Sequence, residues 1–157
     1  MVASLKQTCV RLQAIPEDVS IGTWDEIPNV VEGLALFKED ESVASCYPLI
    51  VRGLEKGAII NFIARPWQMV AGISAASGGQ WELAEQHFET ALRQVSELQI
   101  SFAEPEVRRW YGAMLLRRRK PGDREKAIEM FSEAVDMYNR CEMPRHCEMT
   151  RELAEVS

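Results

Sequence analysis

The sequence predicts an all-α protein of stacked antiparallel helical hairpins, closed by a C-terminal capping helix. Three observations predict it. Apolar residues recur at spacings of three and four and seldom at two. Breakers stand at regular intervals: Pro66, Pro105 and Pro144 are each placed where a helix can begin, because a first-turn N–H has no helical acceptor to lose. One helix pattern is also written twice. GQWELAEQHFETAL starts at Gly79 and GDREKAIEMFSEAV starts 43 residues later, at Gly122, and they share Gly, Glu, Ala, Phe and Ala at matching places.

The elements follow in order. A helix near residues 2–14 is ended by Pro16. PNVVEGLALFK, from Pro28, reads as a second. DESVASCYPLIVRGLEKG reads as a third, with Asp40 or Ser42 as its cap and Gly57 as its stop. Pro48 falls inside it, so that helix either starts late or kinks there. Five more helices are expected at about 66–77, 80–98, 105–119, 123–141 and 144–155. Their connections are short, so neighbours should pack as antiparallel hairpins. SGG at Ser77–Gly79 and KPGD at Lys120–Asp123 read as tight turns, with Asp123 as the N-cap of the next helix. The chain reads as one domain, residues 1–157. It has repeat hairpins at about 66–98 and 105–141, a capping helix at about 144–155, and N-terminal helices within 1–61.

The totals narrow the function classes. A net charge of −6 and a pI near 5.1 argue against broad attraction to nucleic acid or an anionic membrane. No apolar run approaches the ~20 residues of a membrane span. MVASLKQTCV has no apolar signal core. A cytoplasmic location is expected. The four cysteines, Cys9, Cys46, Cys141 and Cys147, form no C-x-x-C and read as reduced thiols packed as small hydrophobes.

The repeated pattern carries the architecture. Ala84, Phe88, Ala91, Leu92 and Val95 form one stripe on a helix, and Ala127, Phe131, Ala134, Val135 and Tyr138 form its copy. The alanines let another helix approach closely, and the Phe fills the space beside them. Such a hairpin cannot bury its own apolar surface and needs a stacked neighbour. The pattern resembles the tetratricopeptide repeat. That family expects a small residue at the close contact between its two helices. Gly72 stands there in the first copy. In the second, Leu115 does not fit; Gly112 fits if the intervening loop is about three residues longer than usual, an extension that RRRKPGD supplies. The strings GGQWELAEQHFETAL and EPEVRRWYGAMLLRRRKPGDREKAIEMFSEAVDMY, followed by EMPRH, resemble the C-terminal repeat region of large bacterial signalling regulators. Those proteins join a nucleotide-cyclase-like or DNA-binding output domain to an NTPase core and a helical repeat tail. The likeness covers about residues 44–157. It includes no P-loop, cyclase or helix-turn-helix segment, so it implies only the repeat tail: a protein-interaction or regulatory scaffold.

Candidate chemistry is sparse. His87 has Glu85 and Glu89 two places to either side, and side chains two apart on a helix diverge by about 200°. His146 has Glu142 and Cys147 nearby, separated by a turn at Pro144, so a cap or turn hydrogen bond fits better than a metal. No nucleophile has a base in a recognisable motif. No catalytic, metal or cofactor residue is assigned, and no enzyme activity is expected. The sharpest charge feature is RRRK at Arg117–Lys120. From Glu104 to Glu125 there are seven basic and four acidic residues. Two readings stand: a cationic helix end favouring the helix dipole, with Arg118 or Arg117 packing its stem, or a docking patch for an acidic partner segment or a phosphate-bearing ligand. By the tetratricopeptide register, Met69, Ile73 and Ala76 would face the concave groove from one helix. Arg109, Ala113 and Leu116 would face it from another, with Arg117 at the basic edge. The implied partner is an acidic protein or peptide segment, with no nucleic acid and no membrane. A competing reading of the groove is that the protein's own N-terminal helices fill it. The alternative function is a small self-associating helical protein, a homo-oligomer with no peptide ligand, joined for example through an exposed end of the stack.

Overall fold

The structure, a computed structural model, describes residues 1–14, 16, 24–61 and 63–155. It is all-α, with no β-strand among the described residues; a lone antiparallel bridge joins Ile60 and Pro66. The helices are α1 (Val2–Gln13), α2 (Glu26–Leu36), α3 (Asp40–Ser45), α4 (Tyr47–Glu55), α5 (Trp67–Ser77), α6 (Trp81–Glu97), α7 (Glu104–Arg118), α8 (Asp123–Arg140) and α9 (Pro144–Glu155). The expected boundaries hold to within a few residues.

The prolines explain several of these boundaries. Pro66 caps α5, and Pro105 and Pro48 lie in the first turns of α7 and α4. The stretch from Asp40 to Glu55 is therefore two helices. The break falls at Cys46, so that Pro48 needs no interior acceptor for the N–H it lacks. The expected Asp123 cap is corrected. Gly122, at φ 86°, holds the N-cap position, and Asp123 is the first helical residue. Its carboxylate reaches backward to accept from the Lys120 N–H at 2.8 Å and from Arg118 at 2.7 and 2.9 Å. It closes the turn that ends α7 instead of capping α8.

The sequence reads as one domain. The chain divides into two compact units, Met1–His87 and Phe88–Ser157, and the boundary falls inside α6. In the first unit α5 is central, packed by α2, α3 and α4, while α1 lies on α2. Nearly every residue of α5 from Trp67 to Ala76 is buried, as a helix must be when it is apolar all round. Its one buried hydroxyl, on Ser74, donates to the Val43 carbonyl at 2.6 Å. Gly53 on α4 lies so close to the Trp67 ring that a Cβ there would meet it at 2.2 Å.

In the second unit α7 packs on α8 and α9 packs on α8. The doubled stripe lies in the cores: Ala84, Phe88, Ala91, Val95, Ala127, Phe131, Ala134 and Tyr138 are buried, and the matched pair Leu92 and Val135 is half-buried. Gly112 is the close-contact residue of its hairpin, since a Cβ there would meet the Phe131 ring at 2.6 Å. Leu115, one turn on, is buried as well. Charged Arg145, Glu148, Arg151 and Glu152 line the outer side of α9, the polar face an end cap needs.

Candidate interaction surface

Helix α7 carries most of the polar chemistry. Val107, Tyr111, Met114 and Leu115 bury one of its sides. The Tyr111 ring stacks on Phe88 with centroids 5.3 Å apart, and the Lys126 ammonium donates to the Tyr111 hydroxyl at 2.6 Å.

Beside that apolar side lies a buried ionic cluster. Glu106 is 3% exposed and Arg109 is 6% exposed. Arg109 donates to one Glu106 oxygen at 2.6 Å, and the Tyr138 hydroxyl of α8 donates to the other. His146 of α9 brings Nε2 to 3.7 Å from the same oxygen, its ring 5.2 Å from that of Tyr138. Desolvation lowers the tendency of Arg109 to hold its proton, but the Glu106 carboxylate beside it outweighs this, so the guanidinium stays charged. Burial, reinforced by the Glu106 charge, pushes the Tyr138 phenol far above its ordinary value. One buried carboxylate thus ties α7, α8 and α9 together, because a buried charge is tolerable only when paired and hydrogen-bonded.

Two further arginines are held by acids of the same unit. Arg108 donates to Glu104 at 2.7 and 3.1 Å and also pairs with Glu133. Arg118 pairs with Asp123, both side chains nearly buried. The Arg118 guanidinium and the Lys120 N–H hold the Asp123 carboxyl below the usual range. Of the two readings of the basic run, Arg118 therefore supplies the packed stem. Arg119 takes a left-handed φ of 60° as the C-cap of α7. Arg117, Arg119, Lys120 and Arg124 are exposed.

The structure separates the seven residues assigned to a partner groove. Met69, Ile73 and Ala76 are buried, at 0%, 3% and 4% exposure, and offer no surface to a partner. The reason is that α5 is wrapped by three helices and has no free face. Arg109 is spent inside the cluster with Glu106. Ala113 and Leu116 are half-buried, and Arg117 is exposed. Sequence reasoning missed Trp110, whose half-buried ring carries the Arg109 guanidinium 4.8 Å from its centroid. Trp110, Ala113 and Arg117 lie at i, i+3 and i+7, and that spacing was the signal to find it.

The comparisons with known proteins return nothing. No protein-family model, no curated protein and no solved structure matches this chain.

The histidines hold structural positions. His87 Nδ1 lies 2.6 Å from Gln68 Oε1, so it donates there, and Nε2 accepts from the Tyr47 hydroxyl at 2.8 Å. Burial lowers its pKa. Among the described residues no group of three His, Cys, Asp or Glu side chains could hold a metal ion. Among them, too, no helix is long and apolar enough to cross a membrane.

Proposed function

We propose that this protein is an interaction module of tetratricopeptide type, a regulatory scaffold that binds an acidic, partly apolar protein segment without turnover. The segment lies along α7 against Trp110, Ala113, Leu116 and Arg117. The hairpins stack as in a right-handed superhelix, in the way of the bacterial signalling regulators that the repeat strings resemble. The observation that carries the reading is the composition of that face. An aromatic ring, two small or aliphatic side chains and an exposed arginine stand in one row, next to a cationic turn. An apolar strip with a charged rim is the composition that amphipathic segments dock on. The doubled stripe and the close contact at Gly112 support the repeat architecture.

Fluorescein-labelled amphipathic peptides, matched in apolar content and differing in net charge, test this by anisotropy. The acidic peptides bind and the basic ones do not. Trp110→Ala and Arg117→Glu each weaken binding at least tenfold while leaving the helical circular dichroism unchanged. Equal affinity for both peptide sets, or undiminished affinity in Arg117→Glu, refutes the reading.

Self-association is the second reading. The exposed side chains Leu98 and Phe102, both in the α6–α7 connection, favour it, at 49% and 56%, since exposed large apolar groups can form contact sites. Sedimentation over a concentration range decides, because a monomer that persists at high concentration excludes it.

A further inference from the structure

Cys9 on α1 and Cys46, at the junction of α3 and α4, are both reduced and buried, at 2% and 1% exposure. Their sulfurs lie 2.8 Å apart. That spacing is too short for a shared metal. Two thiolates on one zinc, each ~2.3 Å from it at a tetrahedral angle, stand roughly 3.8 Å apart. It exceeds a disulfide bond of ~2.05 Å by only about 0.8 Å. The surroundings aim the two groups at each other. The Cys46 thiol lies 3.4 Å from the Ser42 carbonyl, and the Gln13 amide donates to Cys9 Sγ at 3.5 Å and to Ser45 Oγ at 2.7 Å.

We propose that Cys9 and Cys46 are a peroxide-responsive dithiol that closes to an intramolecular disulfide. Cys9 reacts first and Cys46 resolves. The Cys9 thiolate attacks one oxygen of hydrogen peroxide. The O–O bond breaks, hydroxide leaves and takes up a proton, and Cys9 becomes a sulfenic acid. Cys46 gives up its proton and attacks the Cys9 sulfur, and the sulfenic hydroxyl departs with that proton as water. Two thiols and one peroxide yield one disulfide and two waters. The sulfur pair loses two electrons and the peroxide gains them.

The order of attack follows from the surroundings. The hydrogen bond from Cys46 brings the Cys9 thiol down to about 7 against the opposing effect of burial, while the same bond and burial push Cys46 far up. The thiolate is the nucleophile, so Cys9 leads. Access is also cheap, because Cys9 and Leu12 are the buried residues of α1 and loosening that helix exposes little apolar surface. Once formed, the bond pins α1 to the α3–α4 junction across 37 positions of chain. The oxidised state thereby loses unfolded-state freedom and becomes the more stable form.

The test uses the full chain carrying Cys141→Ser, because Cys141 is exposed and would cross-link copies. One equivalent of hydrogen peroxide should lower the intact mass by about two units, and a non-reducing digest should show Cys9 joined to Cys46. Amide exchange in α1 should slow. With Cys46→Ser added, Cys9 should stop at the sulfenic acid and be captured by dimedone. With Cys9→Ser added, Cys46 should react at least tenfold more slowly. The digest of the Cys141→Ser protein needs neither second substitution, so it decides the matter even if those variants misfold. Both thiols remaining titratable, a bond to Cys147, or Cys9 overoxidised beside a free Cys46 would each overturn the proposal.

Discussion

Replacing Arg109 by Met should strongly destabilise the second unit, because Arg109 belongs to the buried ionic cluster. The substitution keeps most of the side-chain volume and removes the charge. What remains is the Glu106 carboxylate, 3% exposed, held by the Tyr138 hydroxyl with His146 at 3.7 Å. Breaking a buried pair in this way costs about 3–5 kcal/mol, mostly the penalty of an uncompensated charge. Adding Glu106→Met removes that charge, and the residual cost falls to about 1–3 kcal/mol, since the Tyr138 hydroxyl is left buried without its acceptor. Adding Tyr138→Phe removes that group too, and the triple variant should return to within about 1 kcal/mol of the starting protein, because a buried ion pair is often no better than well-packed apolar groups. Amide exchange in α7 and α8, where it follows the opening equilibrium, reads these values within the second unit alone. Protection should fall roughly a hundred- to several-thousand-fold in the single variant and recover stepwise. A single variant that loses less than tenfold, or a triple variant no better than the single one, would refute the view that Glu106 is held chiefly by Arg109.

Gly112→Ala should destabilise the α7–α8 hairpin despite the better helix propensity of alanine. The clash with Phe131 at 2.6 Å costs about 1–3 kcal/mol and propensity returns ~1; urea titration should show a net loss that Phe131→Leu partly relieves. Asp123→Asn should cost about 1–3 kcal/mol at pH 7 by weakening charge-assisted bonds. The folded pKa of Asp123 is depressed, so its stabilisation is present above the unfolded value of about 4 and is lost as pH falls through the folded value. The gap between the two proteins should therefore close in acid. His87 also has a depressed pKa, so the first unit should lose stability as pH drops below about 6.5. The His87 ring should titrate below that value by NMR, and His87→Gln should remove that part of the pH dependence.

The helical repeat was legible because it is a local, periodic property. Ala84, Phe88 and Ala91 and their copies at Ala127, Phe131 and Ala134 announce a buried stripe by spacing alone, and all six are buried. The site was less legible. Arg109 has the register of a groove residue, yet it points at Glu106 and Tyr138. Nothing in the spacing of residues 106 and 138 says that they meet. The two readings open at Pro48 were settled by the break at Cys46, which puts Pro48 in the first turn of α4.

By itself the sequence determined the helices, their turns and the packing stripe, since propensity, proline placement and period act over a few residues. Tertiary structure alone decided which charges were consumed and which faces stayed open. Met69 and Ile73 were closed off by three helices converging on α5. Arg118 was claimed by Asp123 across a turn. Cys9 and Cys46 met across 37 positions of chain. Burial and pairing depend on groups far apart in sequence, and their energies exist only once the chain has brought those groups together.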